Sequence, residues 1–97
     1  MAKAYWITQY HGVKDPDKLA AYAKLAAPAI AAGGGRFLVR DNPSKVYEAG
    51  KEMRCVIVEF DSVEQATATH DSPGYKAALD ALGDGAVRDI RLVKGLD

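Results

Sequence analysis

The sequence predicts an α+β domain in which four antiparallel strands form one sheet and helices cover one of its faces. Three observations carry this. The run Arg54-Cys55-Val56-Ile57-Val58-Glu59-Phe60 is mostly apolar and rich in β-branched residues, the signature of a central strand buried on both faces. Ser62 and Gln65 follow at capping-box spacing, so that strand hands directly to a helix. Around them, alternating and helical periods succeed one another as strand, helix, strand, strand, helix, strand.

Taken in order, Ala4 to His11 alternates: Tyr5, Ile7, Gln9 and His11 point one way, Trp6, Thr8 and Tyr10 the other. Large rings on both faces predict neighbours above and below. Asp15 caps a helix whose first position is Pro16, where the missing N–H costs nothing. Leu19, Tyr22, Ala23, Ala26 and Ile30 form its apolar stripe. Pro28 cannot donate to the carbonyl of Lys24, which predicts a kink or a break there. Gly33-Gly34-Gly35 ends the helix.

Arg36 to Arg40 reads as the second strand, with Phe37 and Val39 on one face and Arg36, Leu38 and Arg40 on the other. Asp41-Asn42-Pro43 breaks it, and Lys45 to Ala49 is expected to resume it at the edge. The helix from Val63 is short, because Asp71-Ser72-Pro73 restarts the chain with Ser72 as a fresh cap. Tyr75, Ala78, Leu79 and Leu82 keep helical spacing until Gly83-Asp84-Gly85, and Asp89 to Lys94 alternates as the last strand. This order is the split βαβ, ferredoxin-like arrangement.

Residues 1–97 are expected to form one domain. Thirteen basic and thirteen acidic residues cancel, so the basic excess that holds a protein to nucleic acid is missing. The longest apolar run, Leu25 to Ala32, is too short for a membrane span. Met1-Ala2-Lys3 leads straight into a strand rather than a signal-peptide core, so a cytoplasmic location is expected. Cys55 is the single cysteine and reads as a small buried hydrophobe. His11 and His70 are too few for a metal site, and no phosphate-binding, dinucleotide or nucleophile-elbow motif is present; no metal and no cofactor are expected.

Whichever face the helices cover, apolar side chains remain on the other: Trp6, Tyr10, Val56, Val58 and Phe60 lie on one side, Ile7, Cys55 and Ile57 on the opposite one. Such a patch marks a partner surface. Two sheets packed face to face in a homodimer are the simplest partner arrangement.

Gly34-Gly35-Arg36-Phe37-Leu38-Val39-Arg40, the strand end Val58-Glu59-Phe60-Asp61-Ser62, then Glu64, Ala66 and Ser72-Pro73-Gly74-Tyr75 resemble the DUF1330 family. That family also carries a proline within the long helix before its double glycine, as Pro28 stands here. The resemblance covers nearly the whole chain and implies a dimeric α+β barrel, a ferredoxin-like fold that pairs through its sheet. The family has no established activity, and the wider superfamily spans small monooxygenases, decyclising isomerases and haem enzymes, so the fold alone implies no reaction. Thr69 and His70 stand where the family usually has two aromatics, Asp41-Asn42 where it tends to have glycines, and Gly83 and Gly85 interrupt the last helical piece. A pocket lined by those family aromatics would be wider and more polar here.

The candidate site residues are few. His70 extends the stripe Val63, Ala66, Thr67 and is a candidate general base or ligand-orienting group; alternatively it caps a helix C-terminus beside Asp71. Glu59 is either a candidate acid–base group or one half of an ion pair with Arg36 or Arg40. Arg36 and Arg40, read as sharing a face, are candidates to grip a carboxylate or phosphate. Trp6, Tyr10 and Tyr5 are candidates to stack on a flat ligand, or else core or dimer-interface aromatics, and Tyr75 is a further ligand-binding candidate. The expected pocket lies between sheet and helices, near His70, Glu59, Arg36, Trp6 and Tyr75, and takes a small anionic or aromatic molecule. The alternative is a non-catalytic dimerisation or accessory module whose polar residues satisfy one another.

Overall fold

The computed structural model describes residues 2–96. Strand β1 (Ala4–Val13) leads to helix α1 (Pro16–Ala32), strands β2 (Arg36–Asp41) and β3 (Cys55–Phe60), helices α2 (Val63–His70) and α3 (Pro73–Leu82), and strand β4 (Ala86–Lys94). The sheet runs β2-β3-β1-β4, with every neighbouring pair antiparallel. This is the ferredoxin-like α+β fold.

The helix starts follow their caps. Asp15 Oδ1 accepts from the N–H groups of Asp17 (3.0 Å) and Lys18 (3.2 Å). Ser62 Oγ accepts from Gln65 N–H (3.1 Å), and Gln65 Oε1 accepts from Asp61 N–H (3.2 Å), one residue earlier than an ideal capping box would have it. Ser72 Oγ accepts from Tyr75 N–H at 3.3 Å. At the end of α1 the chain turns through Gly34 at φ 91°. A Cβ at Gly35 would come within 3.0 Å of Ile30, Phe60 and Val58, so glycine there lets β2 enter tight against the core.

The pairing register assigns the faces. Trp6 stands opposite Val58 on β3 and Leu92 on β4, and these side chains meet the helices. Trp6, Tyr75, Phe60 and Val58 are the largest fully buried side chains, packed with Tyr22, Ala26 and Ile30 of α1. Tyr5, Ile7 and Gln9 point to the other face, opposite Glu59, Ile57 and Cys55. That face carries no helix, so within one chain β3 is covered on one side only: Val58 and Phe60 are buried, while Cys55, Ile57 and Glu59 are half-buried.

Five local expectations are corrected. Helix α1 runs unbroken through Pro28, so the expected break is absent, and Pro28 and Lys24 are both exposed. Lys45 to Ala49 forms no strand, and residues 42–54 are irregular, with a turn closed by Gly50 N–H on the Tyr47 carbonyl (2.9 Å). Strand β4 begins at Ala86, earlier than Asp89. On α2 the inward residues are Ala66 and Thr69, and Thr67 is exposed. Most consequential is a register shift in β2 between Phe37 and Val39. The extra residue turns the alternation over, so Arg36 pairs with Glu59 on the uncovered face while Arg40 pairs with Val56 on the helix face. Arg36 and Arg40 therefore do not share a face.

Candidate functional site

On the helix face, Arg88 of β4 stands opposite Tyr10 of β1. The β1 register shifts immediately beyond, between Tyr10 and Gly12. The Arg88 guanidinium points under α1 and α3, where it meets three phenols. Its Nη1 donates to Tyr22 Oη (3.0 Å) and Tyr10 Oη (3.3 Å), and its Nη2 donates to Tyr75 Oη (3.3 Å). The Tyr22 and Tyr75 hydroxyls bond to each other at 2.7 Å. The guanidinium also lies over the Tyr22 ring, 4.4 Å from its centroid, a cation–π contact.

No carboxylate approaches Arg88 among the described residues; every ion pair there is made elsewhere. Burial opposes its charge, but the oxygens of Tyr22, Tyr75 and Tyr10 outweigh that effect, and the group stays cationic. Burial, then the neighbouring Tyr22, pushes the Tyr75 phenol well above its ordinary value, so it remains a protonated donor. Burial raises Tyr10 too, against the pull of Arg88.

Counting protons shows what the cluster lacks. Thr8, 3% exposed, accepts from Trp6 Nε1–H at 3.0 Å, and its own hydroxyl proton finds no acceptor among the described residues. The same holds for the Tyr10 proton and for one of the two protons in the Tyr22–Tyr75 pair. The cluster is cationic and has more donors than acceptors. Either waters or an anion must supply the missing acceptors.

Thr8, Tyr10, Tyr22 and Arg88 open onto a cavity of about 70 Å³ between the sheet and α1, where one water needs about 10–15 Å³. Trp6, Leu19, Ile30, Phe37 and Val58 supply its apolar wall. Arg40 and Arg54 also line it, and no acidic residue does. Gln9 Nε2 donates to the carbonyl of Met53 (3.0 Å), and Tyr10 N–H donates to that of Arg54 (3.0 Å), which ties the start of β3 to β1 beside the opening. A wider vestibule of about 460 Å³ adjoins it, sharing Tyr10, Leu19 and Arg54 and adding Asp41, Glu52 and Met53.

The candidate residues from the sequence divide between two faces. Trp6 and Arg40 line the cavity, and Tyr75 bonds to Tyr22 and Arg88 behind it. His70 lies outside the cavity lining, its ring 5.5 Å from Trp6 and 5.2 Å from Tyr75, its Nδ1 3.2 Å from Asp71 Oδ1 and its side chain 36% exposed. Glu59 and Arg36 are on the uncovered face, away from this cavity. Arg36 donates to Glu59 Oε1 from Nε (3.1 Å) and Nη2 (2.9 Å), and Tyr5 Oη donates to Glu59 Oε2 (3.1 Å). The Arg36 hydrogen bond, set against desolvation and aided by Tyr5, holds the Glu59 carboxyl below its ordinary range. Sequence reasoning missed Arg88, Tyr22 as a site residue, Thr8 and Arg54. The one available signal was a longer alternation in the last strand: reading it from Ala86 puts Arg88 in phase with Ile90 and Leu92.

Comparison with known proteins follows the fold. The chain is similar over 99% of its length to a protein of unknown function from Rhodopseudomonas palustris, with a TM-score of 0.76, 15% identity and 84% of that chain covered. It is similar over 100% of its length to SnoaB, a cofactor-independent oxygenase from Streptomyces nogalater, with a TM-score of 0.69, 13% identity and 96% of that chain covered. A dimeric protein of unknown function and ferredoxin-like fold from Bacteroides fragilis matches with a TM-score of 0.62 and 12% identity, over 95% of each chain. At these identities the likeness is one of fold. No match was found among curated protein sequences. A family model described as a domain of unknown function matches residues 3–96, and the chain belongs to that family, DUF1330.

Proposed function

We propose that this protein is a homodimeric domain that binds a small carboxylate-like anion in the cavity between its sheet and α1, with Arg88 as the principal ligand-binding residue. The observation that carries this is a half-buried guanidinium with no carboxylate partner among the described residues, set among hydroxyls whose protons outnumber their acceptors there. A bound carboxylate supplies the missing acceptors and the compensating charge together. Trp6, Phe37, Leu19 and Ile30 suit an apolar or aromatic body behind that head.

Dimerisation through the uncovered face is supported by two things. Ile7, Ile57, Val39 and Val93 lie on that face, the last two 41% and 46% exposed, and a fold neighbour is a dimer. Light scattering of the purified chain is expected to give a dimeric mass, and a monomeric mass removes that part of the proposal.

Calorimetric titration with valerate and with benzoate tests the site. Both are expected to bind saturably, with Arg88→Met weakening them at least about tenfold and Arg36→Met, on the other face, leaving them unchanged. Circular dichroism checks that each variant is folded, and Arg88→Lys restores part of the affinity. No binding of either anion, or equal binding by a folded Arg88→Met, overturns the reading.

A further inference from the structure

Two buried threonines dispose of their hydroxyl protons differently. Thr69, 4% exposed, stands in α2 and donates to the Gln65 carbonyl one turn back at 2.9 Å, the bond a helical threonine makes with its own backbone. Thr8, 3% exposed, stands in β1 between β3 and β4, whose ladders engage the neighbouring backbone carbonyls. Its Oγ1 accepts from Trp6 Nε1–H (3.0 Å), which fixes the side chain, and its own proton has no acceptor among the described residues. Thr8 lines the inner cavity, so a molecule held there can take that proton. A donor buried this deeply is costly until something does.

We infer that Thr8 is a specificity-determining residue that recognises an uncharged carbonyl oxygen on the body of the ligand, apart from the carboxylate held by Arg88, so that the ligand is an oxo acid. This rests on the carboxylate reading of the inner cavity and adds a second point of recognition. Thr8 and Tyr10 are two residues apart on one face of β1, about 7 Å along the strand, and Arg88 stands opposite Tyr10. The carbonyl therefore lies further along the ligand chain rather than next to the carboxylate. Thr8 stands opposite Val56 on one side and Ile90 on the other, and it bonds to Trp6. A second anionic group in that apolar setting would give up its water for one neutral donor, whereas a ketone gives up far less.

Three carboxylates that share a two-methylene link separate the possibilities: valerate continues in an ethyl group, 4-oxovalerate in an acetyl group and succinate in a second carboxylate. In calorimetric titrations of the wild-type chain, 4-oxovalerate is expected to bind about five- to tenfold tighter than valerate, the worth of one hydrogen bond, and succinate more weakly than either. Thr8→Val, close in shape but without the proton, is expected to bring 4-oxovalerate and valerate within about twofold of each other, and Thr8→Ser to keep them apart. Circular dichroism checks that both variants are folded. Equal affinities in the wild-type chain, as when a water takes the Thr8 proton, overturn the inference and leave the carboxylate site standing. That comparison needs no variant, should Thr8→Val, which also strips Trp6 of its acceptor, fail to fold. A preference that persists in folded Thr8→Val, or succinate binding as tightly as 4-oxovalerate, overturns the inference as well. Failure of all three to bind overturns the carboxylate site itself and the inference with it.

Discussion

The two faces of the sheet each carry an arginine in a network that includes tyrosine, and they resolve its charge in opposite ways. On the uncovered face, Arg36 and Lys3 meet Glu59 and Asp61, and Tyr5 completes the set with a proton for Glu59. Two cations and two anions pair with each other there. On the covered face, Arg88 meets Tyr10, Tyr22 and Tyr75, and no carboxylate among the described residues pairs with it. A self-satisfied network explains itself as structure. An unsatisfied one, in a cavity that excludes acids, points beyond the chain. Sequence reasoning offered an ion pair with Arg36 or Arg40 as one reading of Glu59, which the Arg36–Glu59 contact matches, and passed over Arg88, because a carboxylate within an apolar strand stands out and an arginine in an alternating strand does not.

The largest effect that tests this contrast comes from removing the floor of the covered face. Trp6→Ala takes out a fully buried ring packed against Phe60 and Tyr75, and is expected to cost about 3–5 kcal/mol in urea unfolding. A loss under about 1 kcal/mol would show that the helices do not depend on that face. A smaller effect is expected from Tyr75→Phe, which keeps the ring and deletes its hydroxyl, for about 1 kcal/mol at neutral pH. Burial first, and Tyr22 next, holds the Tyr75 proton above the ordinary value of 10.0. Its stabilising contribution is therefore whole below pH 10.0 and is lost as the pH rises through the higher folded value. Unfolding midpoints measured from neutral into alkaline pH are expected to fall less steeply in the variant, and parallel curves would break the claim that the phenol is held neutral. The smallest effect belongs to the uncovered face. The Arg36 hydrogen bond depresses Glu59 below 4.5, so its contribution is present above that pH and disappears as the pH falls through the lower folded value. Glu59→Gln is expected to flatten the acid limb slightly and to leave valerate binding alone. An unchanged acid limb would show that the ion pair contributes nothing to stability.

Much of the scaffold was legible because its signals are local. Asp15-Pro16 and Ser72-Pro73 announce helix starts through cap chemistry that needs no tertiary context. The alternation of β1 assigned its faces correctly from Tyr5 to His11. What stayed hidden depends on a partner strand. A bulge at Leu38 follows from the pairing with β3, and with it goes the side on which Arg40 emerges. Arg88 required both the true start of β4 and its register against Tyr10. At Pro28 the expected break is absent, because the proline sits on the exposed side of a helix held by the packing of Tyr22, Ala26 and Ile30.

The irregular segment between β2 and β3 contributes Asn42, Glu52, Met53 and Arg54 to the vestibule and no residue to the buried core. Foldability is thereby carried by other parts of the chain. Length changes and substitutions between residues 42 and 54 are expected to reshape the vestibule while leaving the helix-side core and the fold intact, which urea unfolding of such variants checks.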